Sequence, residues 1–307
     1  MKDSNNSKLL ITGTVAFDDI ETPKGSSGKI IGGAGAYISL AASIFSKRIS
    51  LISVIGDDFL EEDIKMLQLK DINTDMIERI DGVKSFYWKG RYHSNFKTRD
   101  TLVTELNALE KFNPIVNQSS KNADIVMLGN LHPSVQLSVL DQLESNKSFV
   151  ILDTMNFWMD TALDELKRVL LKTDLIIIND EEVEQLTSEQ NLHVAAQKIL
   201  EMGPKLLIVK KGDKGSEIFN QNESFQIPAY TIQSVIDPTG AGDCYAGGLA
   251  GYLSTQDQID FKSIKKSMIY GTIIASYCVE NFGVKDVQGL DFSDIEKRLE
   301  IFKPYLV

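Results

Sequence analysis

Short apolar runs alternate with amphipathic stretches along most of the chain. The apolar runs are KLLITGTV (8–15), ISLISVIG (49–56), ADIVMLGN (123–130), SFVILDT (148–154), DLIIIND (174–180) and KLLIVKKG (205–212). Between them lie stretches typical of helices, including GGAGAYISLAASIF (32–45), DFLEEDIKMLQLK (58–70), SVQLSVLDQLES (134–145), ALDELKRVLLK (162–172) and NLHVAAQKILEM (191–202). This alternation predicts βαβ units and an α/β fold with a mostly parallel sheet. Continuous apolar strands indicate helices on both faces of the sheet.

Two segments break this rhythm. VKSFYWKGRYHSNF (83–96) is aromatic and β-prone, and no helix follows it, while ETPKGSSGKIIGG (21–33) is rich in turn residues. Both are typical of antiparallel additions to the main sheet, as in a flap or lid. We therefore predict a single domain over residues 1–307, with lid insertions at about 14–31 and 83–105.

Composition and charge narrow the classes of partner. The chain of 307 residues is 43% hydrophobic and 24% charged, with a formal net charge of -11. Nucleic acids and anionic membranes both require a basic face, so neither is predicted as a partner. The polar start MKDSNNSKLL and the lack of a long apolar run predict a cytoplasmic protein without a membrane span. Two cysteines and three scattered histidines form no zinc or disulfide pattern.

The stretch DPTGAGD, residues 237–243, has the local chemistry of an anion site. Gly240, Ala241 and Gly242 lack bulk, so their N–H groups can approach a ligand, and an apolar helix follows them. Asp243 lies in the first turn of that helix, where a capping carboxylate in a tight turn is the alternative interpretation. Neither a Walker A motif nor a complete GxGxxG fingerprint occurs in the chain, which disfavours an NAD-dependent enzyme.

This stretch also resembles the second signature of the ribokinase-like sugar kinases, the PfkB carbohydrate kinase family. That signature reads Asp-Thr-x-Gly-Ala-Gly-Asp, and Pro238 replaces its Thr. Further segments resemble family motifs in the family's order: GTVAFDD (13–19), GGAGAYISLAA (32–42), VIGDDF (54–59), NDEE (179–182) and VKKGDKGS (209–216). The resemblance implies a three-layer αβα ribokinase-like fold with a small β-strand lid. It also implies transfer of a phosphoryl group from ATP to a hydroxymethyl oxygen.

The resemblance assigns catalytic roles to the loop and to the helix start. Asp243 is expected to be the general base that accepts the proton of the attacking hydroxyl. The N–H groups of Gly240, Ala241 and Gly242 are expected to stabilise charge on the transferring phosphoryl group.

Nucleotide and metal residues follow from the same resemblance. Asn179 and Glu182 are expected to organise Mg²⁺ through water, although acids at a helix start are also common without a metal. The remaining residues expected to bind ATP are Lys211, Gly212, Gly215, Thr239 and Gly283. Asp237 and Thr239 are compatible with a K⁺ ion beside the loop.

The acceptor site departs most from the family pattern. Residues expected to bind the acceptor are Asp18, Gly32, Gly33, Tyr37, Arg91 and Asn156. Tyr37 stands where relatives have Asn, and Trp158 stands where they have Arg. The predicted lid is aromatic and also carries Lys89, Arg91, Lys97 and Arg99, which suit either an anionic substituent or a solvated edge strand.

These departures leave the acceptor open. We predict a sugar kinase, with a nucleoside kinase as the alternative, because aromatic faces stack on nucleobases as well as on sugar rings. A non-catalytic sugar- or nucleoside-binding protein is the alternative from another class. An aromatic lid is also compatible with a homodimer formed through it.

Overall fold

The computed structural model describes residues 8–144 and 147–306. Its strands are β1 (Leu9–Thr12), β2 (Ala16–Thr22), β3 (Gly25–Gly32), β4 (Ile49–Ile55), β5 (Ile72–Arg79), β6 (Tyr87–Tyr92), β7 (Arg99–Glu105), β8 (Ile125–Leu128), β9 (Phe149–Asp153), β10 (Leu175–Asn179), β11 (Leu206–Lys210), β12 (Ser216–Phe219) and β13 (Ser224–Ile227). Its helices are α1 (Ala34–Ser43), α2 (Glu61–Gln68), α3 (Pro133–Asp141), α4 (Asn156–Thr161), α5 (Leu163–Leu170), α6 (Asp180–Thr187), α7 (Leu192–Glu201), α8 (Ala241–Leu253), α9 (Phe261–Cys278), α10 (Lys285–Gly289) and α11 (Phe292–Leu299). Short 3₁₀ turns lie at Asn107–Lys111, Gly212–Lys214 and Glu300–Tyr305.

A large sheet forms the centre of the molecule. Within the described residues it has nine strands in the order β13-β12-β11-β10-β9-β8-β1-β4-β5, and only the pairs β11–β12 and β12–β13 are antiparallel. Successive residues of a strand point to opposite faces, so Leu9 and Ile11 enter one apolar core and Leu10 enters the other. Helices α1, α8 and α9 cover the first face, and α3, α5 and α7 cover the second. The predicted α/β fold with a mostly parallel sheet is confirmed.

The two segments that break the alternation form a second sheet, which we call the lid sheet. Its strand order is β3-β2-β6-β7, with β2 and β6 parallel and the two outer pairs antiparallel. The expectation of antiparallel additions to the main sheet is therefore wrong in detail. Among the described residues, these four strands pair only with one another and not with strands of the main sheet.

The topology gathers polar residues at one edge of the large sheet. Strands β9, β10 and β11 are parallel and end at Asp153, Asn179 and Lys210. In open α/β sheets, ligands bind outside the carboxyl ends of the strands. Helix α8 begins at Ala241, within the DPTGAGD stretch, and its first turn lies at the same edge, because a Cβ on Gly242 would be 3.0 Å from Lys210 Nζ. None of the described helices combines the length and the apolar character that a membrane span requires.

Candidate active site

The loop before α8 has a conformation that only glycine adopts readily at its last position. Gly240 is the N-cap of the helix and has φ = 74°. The Tyr37 ring lies directly beneath it, since a Cβ on Gly240 would be 2.5 Å from Tyr37 Cε1. Asp237 fixes the start of the loop, because its Oδ1 accepts a hydrogen bond from the Thr239 N–H at 2.8 Å. The loop therefore presents the N-terminus of α8 in one defined direction.

The backbone amides of this loop are not equivalent. The first N–H groups of a helix have no acceptor within the helix and carry its positive dipole end. The Ala241 N–H donates to the Pro238 carbonyl at 3.2 Å, so it is already engaged. Gly240 and Gly242 are consequently the better candidates for donors to an anion.

Asp243 projects from the first turn of α8 into a group of charged side chains. Burial raises the pKa of Asp243 to about 7, and the carboxylates of Asp153 and Asp18 contribute in the same direction. Lys210 and Arg99 oppose this rise with their positive charges. A carboxyl group with a pKa near neutrality can accept and release a proton at physiological pH, as a general base must.

Lys210 is the cation at the centre of this group. Its Nζ lies 3.2 Å from Asp153 Oδ1, and only 3.0 Å from the place where a Cβ on Gly242 would be. Burial by itself would lower the pKa of Lys210, but Asp153, Glu182 and Asp243 together raise it. Lys210 is therefore a permanent positive charge beside the amides of the loop.

The structure places Lys210, rather than Lys211, beside the loop. Lys211 Nζ pairs with Glu217 Oε2 at 2.9 Å, and both side chains are largely buried. The Lys-x-Gly-x-x-Gly spacing itself begins at Lys210 and continues through Gly212 and Gly215. Counting that spacing from its first lysine is the signal that identifies Lys210 from the sequence.

Asn179 and Glu182 form a capping box at the start of α6. Asn179 Oδ1 accepts from the Glu182 N–H, and Glu182 Oε2 accepts from the Asn179 N–H, both at 2.8 Å. Burial raises the pKa of Glu182 to about 7, Lys210 lowers it, and Asp153 raises it further. Glu182 therefore does cap the start of α6, as an acidic residue at a helix start often does. The same carboxylate also belongs to the charged group around Lys210.

The other positions expected to contact the nucleotide lie in the turn after β11 and at the loop before α8. Gly212 and Gly215 have φ of 56° and 90° in the turn after β11. The Gly283 N–H points to Asp237 Oδ2 at 3.5 Å, and Thr239 Oγ1 donates to the Tyr92 hydroxyl at 3.2 Å. Asp237 is fully buried, and burial raises its pKa.

Asp18 occupies the other end of the site, on strand β2. A Cβ on Gly32 would lie 1.9 Å from Asp18 Oδ2, so only glycine there leaves room for this carboxylate. Burial raises the pKa of Asp18 to about 7, although the Gly33 backbone N–H lowers it by hydrogen bonding. Tyr37 is buried nearby, and its hydroxyl has no hydrogen-bond partner among the described residues. Asp18, Gly32 and Gly33 therefore lie together, with Tyr37 behind the Gly240 loop.

Arg91 and Asn156 make other contacts than those expected. Arg91 Nε donates to Glu21 Oε2 at 2.7 Å. Its neighbour Tyr92 contacts Thr239, so Arg91 lies on the lid-sheet face turned away from the loop. Asn156 donates from its side-chain amide to Gln185 Oε1 on α6. These contacts tie both side chains to neighbouring structural elements.

The family to which this chain belongs is identified by a match to a family model. The model for pfkB family carbohydrate kinases matches residues 12–288. The chain belongs to the pfkB family. It is therefore an ATP-dependent phosphotransferase, as the sequence predicted.

Relatives and solved structures agree with this assignment. The pfkB kinase described here is 26% identical over 252 residues to a cytidine kinase from Thermococcus kodakarensis, covering 80% of this chain and 88% of that one. The crystal structure of the Methanocaldococcus jannaschii nucleoside kinase has a TM-score of 0.78 at 22% identity, covering 96% of this chain and 99% of that one. A putative ribokinase II from E. coli, solved with ATP and Mg²⁺, has a TM-score of 0.78 at 19% identity, with 96% and 99% covered. Both structures share the predicted ribokinase-like fold.

Two lid residues of this pfkB kinase, Trp88 and Arg99, lie on the site side of the lid sheet, although neither is among the individual residues expected to bind ATP or the acceptor. Trp88 and Arg99 share the lid-sheet face of Tyr92, since Asp18 pairs in register with Trp88, and Tyr92 with Arg99. The Trp88 indole lies flat over Gly90, where a Cβ would be 2.1 Å from its Cη2. Counting alternate positions back from Tyr92 along β6 would have identified this face.

Proposed function

We propose that this kinase transfers the γ-phosphoryl group of ATP to a hydroxymethyl oxygen, with Asp243 as the general base. The observation that carries the proposal is the convergence of Asp243, Lys210 and the start of α8 at the carboxyl edge of the sheet. Asp18, whose charge also acts on Asp243, lies at the acceptor end of the same site. This arrangement suits in-line transfer between a nucleotide on one side and an alcohol on the other.

The transfer has a simple balance of bonds and protons. The acceptor oxygen forms a bond to the γ-phosphorus, the bond from that phosphorus to the β,γ-bridging oxygen breaks, and ADP leaves with the electron pair. The hydroxyl proton passes to Asp243, whose pKa of about 7 suits this exchange. The N–H groups of Gly240 and Gly242, together with Lys210, would stabilise the negative charge on the moving phosphoryl group.

The residues present fit a Mg²⁺ ion that accompanies ATP. Among the described residues, no group of three or more His, Cys, Asp or Glu side chains could hold a metal by itself. Mg²⁺ usually keeps several waters and binds through substrate phosphates with one or two carboxylates. Glu182, supported by Asn179, would hold such an ion through water, and the bound ion would neutralise phosphate charge. The E. coli relative that binds ATP and Mg²⁺ supports this assignment.

The acceptor we propose is a nucleoside. Trp88 lies half-buried beside Asp18 on the same face of the lid sheet, and its flat indole offers a stacking surface for a base. Asp18 would accept hydrogen bonds from sugar hydroxyls at that position. The relatives from T. kodakarensis and M. jannaschii, named as cytidine and nucleoside kinases, support the same choice.

Turnover with Mg-ATP and a panel of nucleosides and free sugars tests both parts of the proposal. We expect Asp243→Asn to lower kcat by about 10²–10⁴, the range for a lost general base, with MgATP binding retained. Near-normal turnover of this variant would refute the role of Asp243.

The Trp88→Ala variant tests the acceptor separately. Base–aromatic stacking contributes about 1–3 kcal/mol, so KM for a nucleoside should rise roughly tenfold or more while KM for MgATP stays constant. Leu102→Ala, an exposed position of the same sheet, is the control. If the wild-type enzyme phosphorylates free sugars better than every nucleoside, the sugar-kinase alternative is correct.

A further inference from the structure

The end of the β6–β7 hairpin reaches from the lid sheet to both loops that flank the nucleotide. Tyr92 accepts a hydrogen bond from Thr239 Oγ1 in the loop before α8, at 3.2 Å. Lys97 Nζ lies 3.2 Å from Asp213 Oδ1, in the turn after β11. The hairpin end therefore lies beside the place of phosphoryl transfer as well as near the acceptor.

Arg99 is the first residue of β7 and follows this hairpin end. It pairs in register with Tyr92, and its Cζ lies 5.8 Å from the centroid of the Trp88 ring. Tyr92 and Trp88 both lie on the face of the lid sheet that meets the loop before α8. The guanidinium therefore extends from the lid sheet on the side of Asp243.

Arg99 differs from the other cations of the hairpin in having no anionic partner. Lys89 pairs with Asp19 and Glu21, Arg91 with Glu21, and Lys97 with Asp213. Among the described residues, Arg99 forms no ion pair, and its side chain is exposed. An arginine that faces a nucleotide site without a carboxylate partner is available for a phosphate.

The charge of Arg99 also acts on Asp243. Burial is the largest influence on the pKa of Asp243 and raises it, whereas the positive charge of Arg99 lowers it. This influence agrees with the strand register, which places Arg99 on the same face of the lid sheet as Tyr92.

We propose that Arg99 is a catalytic residue, whose guanidinium donates hydrogen bonds to the γ-phosphoryl oxygens during transfer. The proposal rests on the proposed function and adds a lid residue to its machinery. In the transition state the charge spreads over three equatorial oxygens, and the planar guanidinium fork matches two of them. The hairpin contacts through Tyr92 and Lys97 would hold Arg99 in place beside the loop before α8.

Steady-state kinetics of Arg99→Ala and Arg99→Lys, beside Lys89→Ala as the matched control, test this proposal. Lys89 carries the same charge on the same hairpin but lies on the opposite face. We expect Arg99→Ala to lower kcat by about 10²-fold, as for loss of one transition-state donor, with little change in KM for MgATP. Arg99→Lys should be intermediate, and added guanidinium should restore part of the Arg99→Ala activity. Turnover of Arg99→Ala equal to that of Lys89→Ala, or a rise in KM alone, would overturn the proposal.

A binding measurement separates this proposal from the proposed function. MgADP with aluminium fluoride imitates the transferring phosphoryl group and needs no knowledge of the acceptor. Titration calorimetry should show that aluminium fluoride tightens MgADP binding in the wild type and in Lys89→Ala, but much less in Arg99→Ala. Equal tightening in all three proteins, or none in the wild type, would overturn the role of Arg99. Failure of the wild type to phosphorylate any acceptor would instead overturn the proposed function. Should Arg99→Ala not fold, as judged by circular dichroism, Arg99→Lys gives the same comparison.

Discussion

The pH dependence of turnover is the most direct consequence of the charged group around Asp243. Burial beside Asp153 raises the pKa of Asp243 from 3.8 to about 7. A general base must be ionised to act, so kcat/KM for MgATP should rise with pH and level off above this pKa. About one-tenth of the enzyme would be active at pH 6, about half at pH 7 and about nine-tenths at pH 8. With the ordinary pKa of 3.8, the same profile would be flat over this range.

The cause of the raised pKa can be tested with one substitution. Lys210 lowers the pKa of Asp243, so Lys210→Met should move the midpoint of the profile to higher pH. Lys205→Met removes the same charge from an exposed position, where Lys205 pairs with Asp174, and should leave the midpoint unchanged. The midpoint is the informative quantity, because Lys210→Met is also expected to lower the maximal rate.

The assay is a coupled measurement of ADP release from pH 5.5 to 9 at saturating Mg²⁺, with circular dichroism at each end of the range. Asp18 and Glu182 also have pKa values of about 7, so the observed midpoint belongs to the interacting group. A flat profile for the wild type would refute the raised pKa. A midpoint that stays in place or falls in Lys210→Met would refute the electrostatic explanation.

Three further predictions concern the metal, the acceptor and the monovalent cation. Glu182→Gln keeps an oxygen for the capping box but loses the charge, so we expect the Mg²⁺ concentration for half-maximal activity to rise about tenfold or more. The exposed neighbour Glu181→Gln is its control, and equal Mg²⁺ titrations would count against the assignment. Gly32→Ala would force Asp18 to move, so kcat/KM for the acceptor should fall about 10²-fold while KM for MgATP is retained. An unchanged kcat/KM for the acceptor would contradict the placement of Asp18. We also expect K⁺ to raise kcat relative to tetramethylammonium, because the buried Asp237 carboxylate beside the loop would be stabilised by a cation, and equal rates in both salts would exclude this effect.

The period of the hydrophobic pattern was enough to predict the main architecture. Strand and helix signals depend on neighbouring residues, so runs such as DLIII and amphipathic stretches such as ALDELKRVLLK led to the correct elements β10 and α5. The DPTGAGD stretch could also be interpreted from the sequence, because a glycine with positive φ and a helix start after it are local features. The pairing of the lid strands with one another could not be predicted from the sequence, since strand pairing joins residues far apart in the chain.

The sequence by itself therefore determined the α/β fold, the family and the loop and helix start that include Asp243, all of which depend on local patterns. Only the tertiary structure decided which cations face that loop. Lys210 and Lys211 are adjacent in the chain, yet one pairs with Asp153 and the other with Glu217. Arg91 and Arg99 lie in one hairpin, yet strand register places them on opposite faces. Side-chain type is a property of the sequence, whereas the face on which a side chain lies is set by strand pairing and packing across the whole fold.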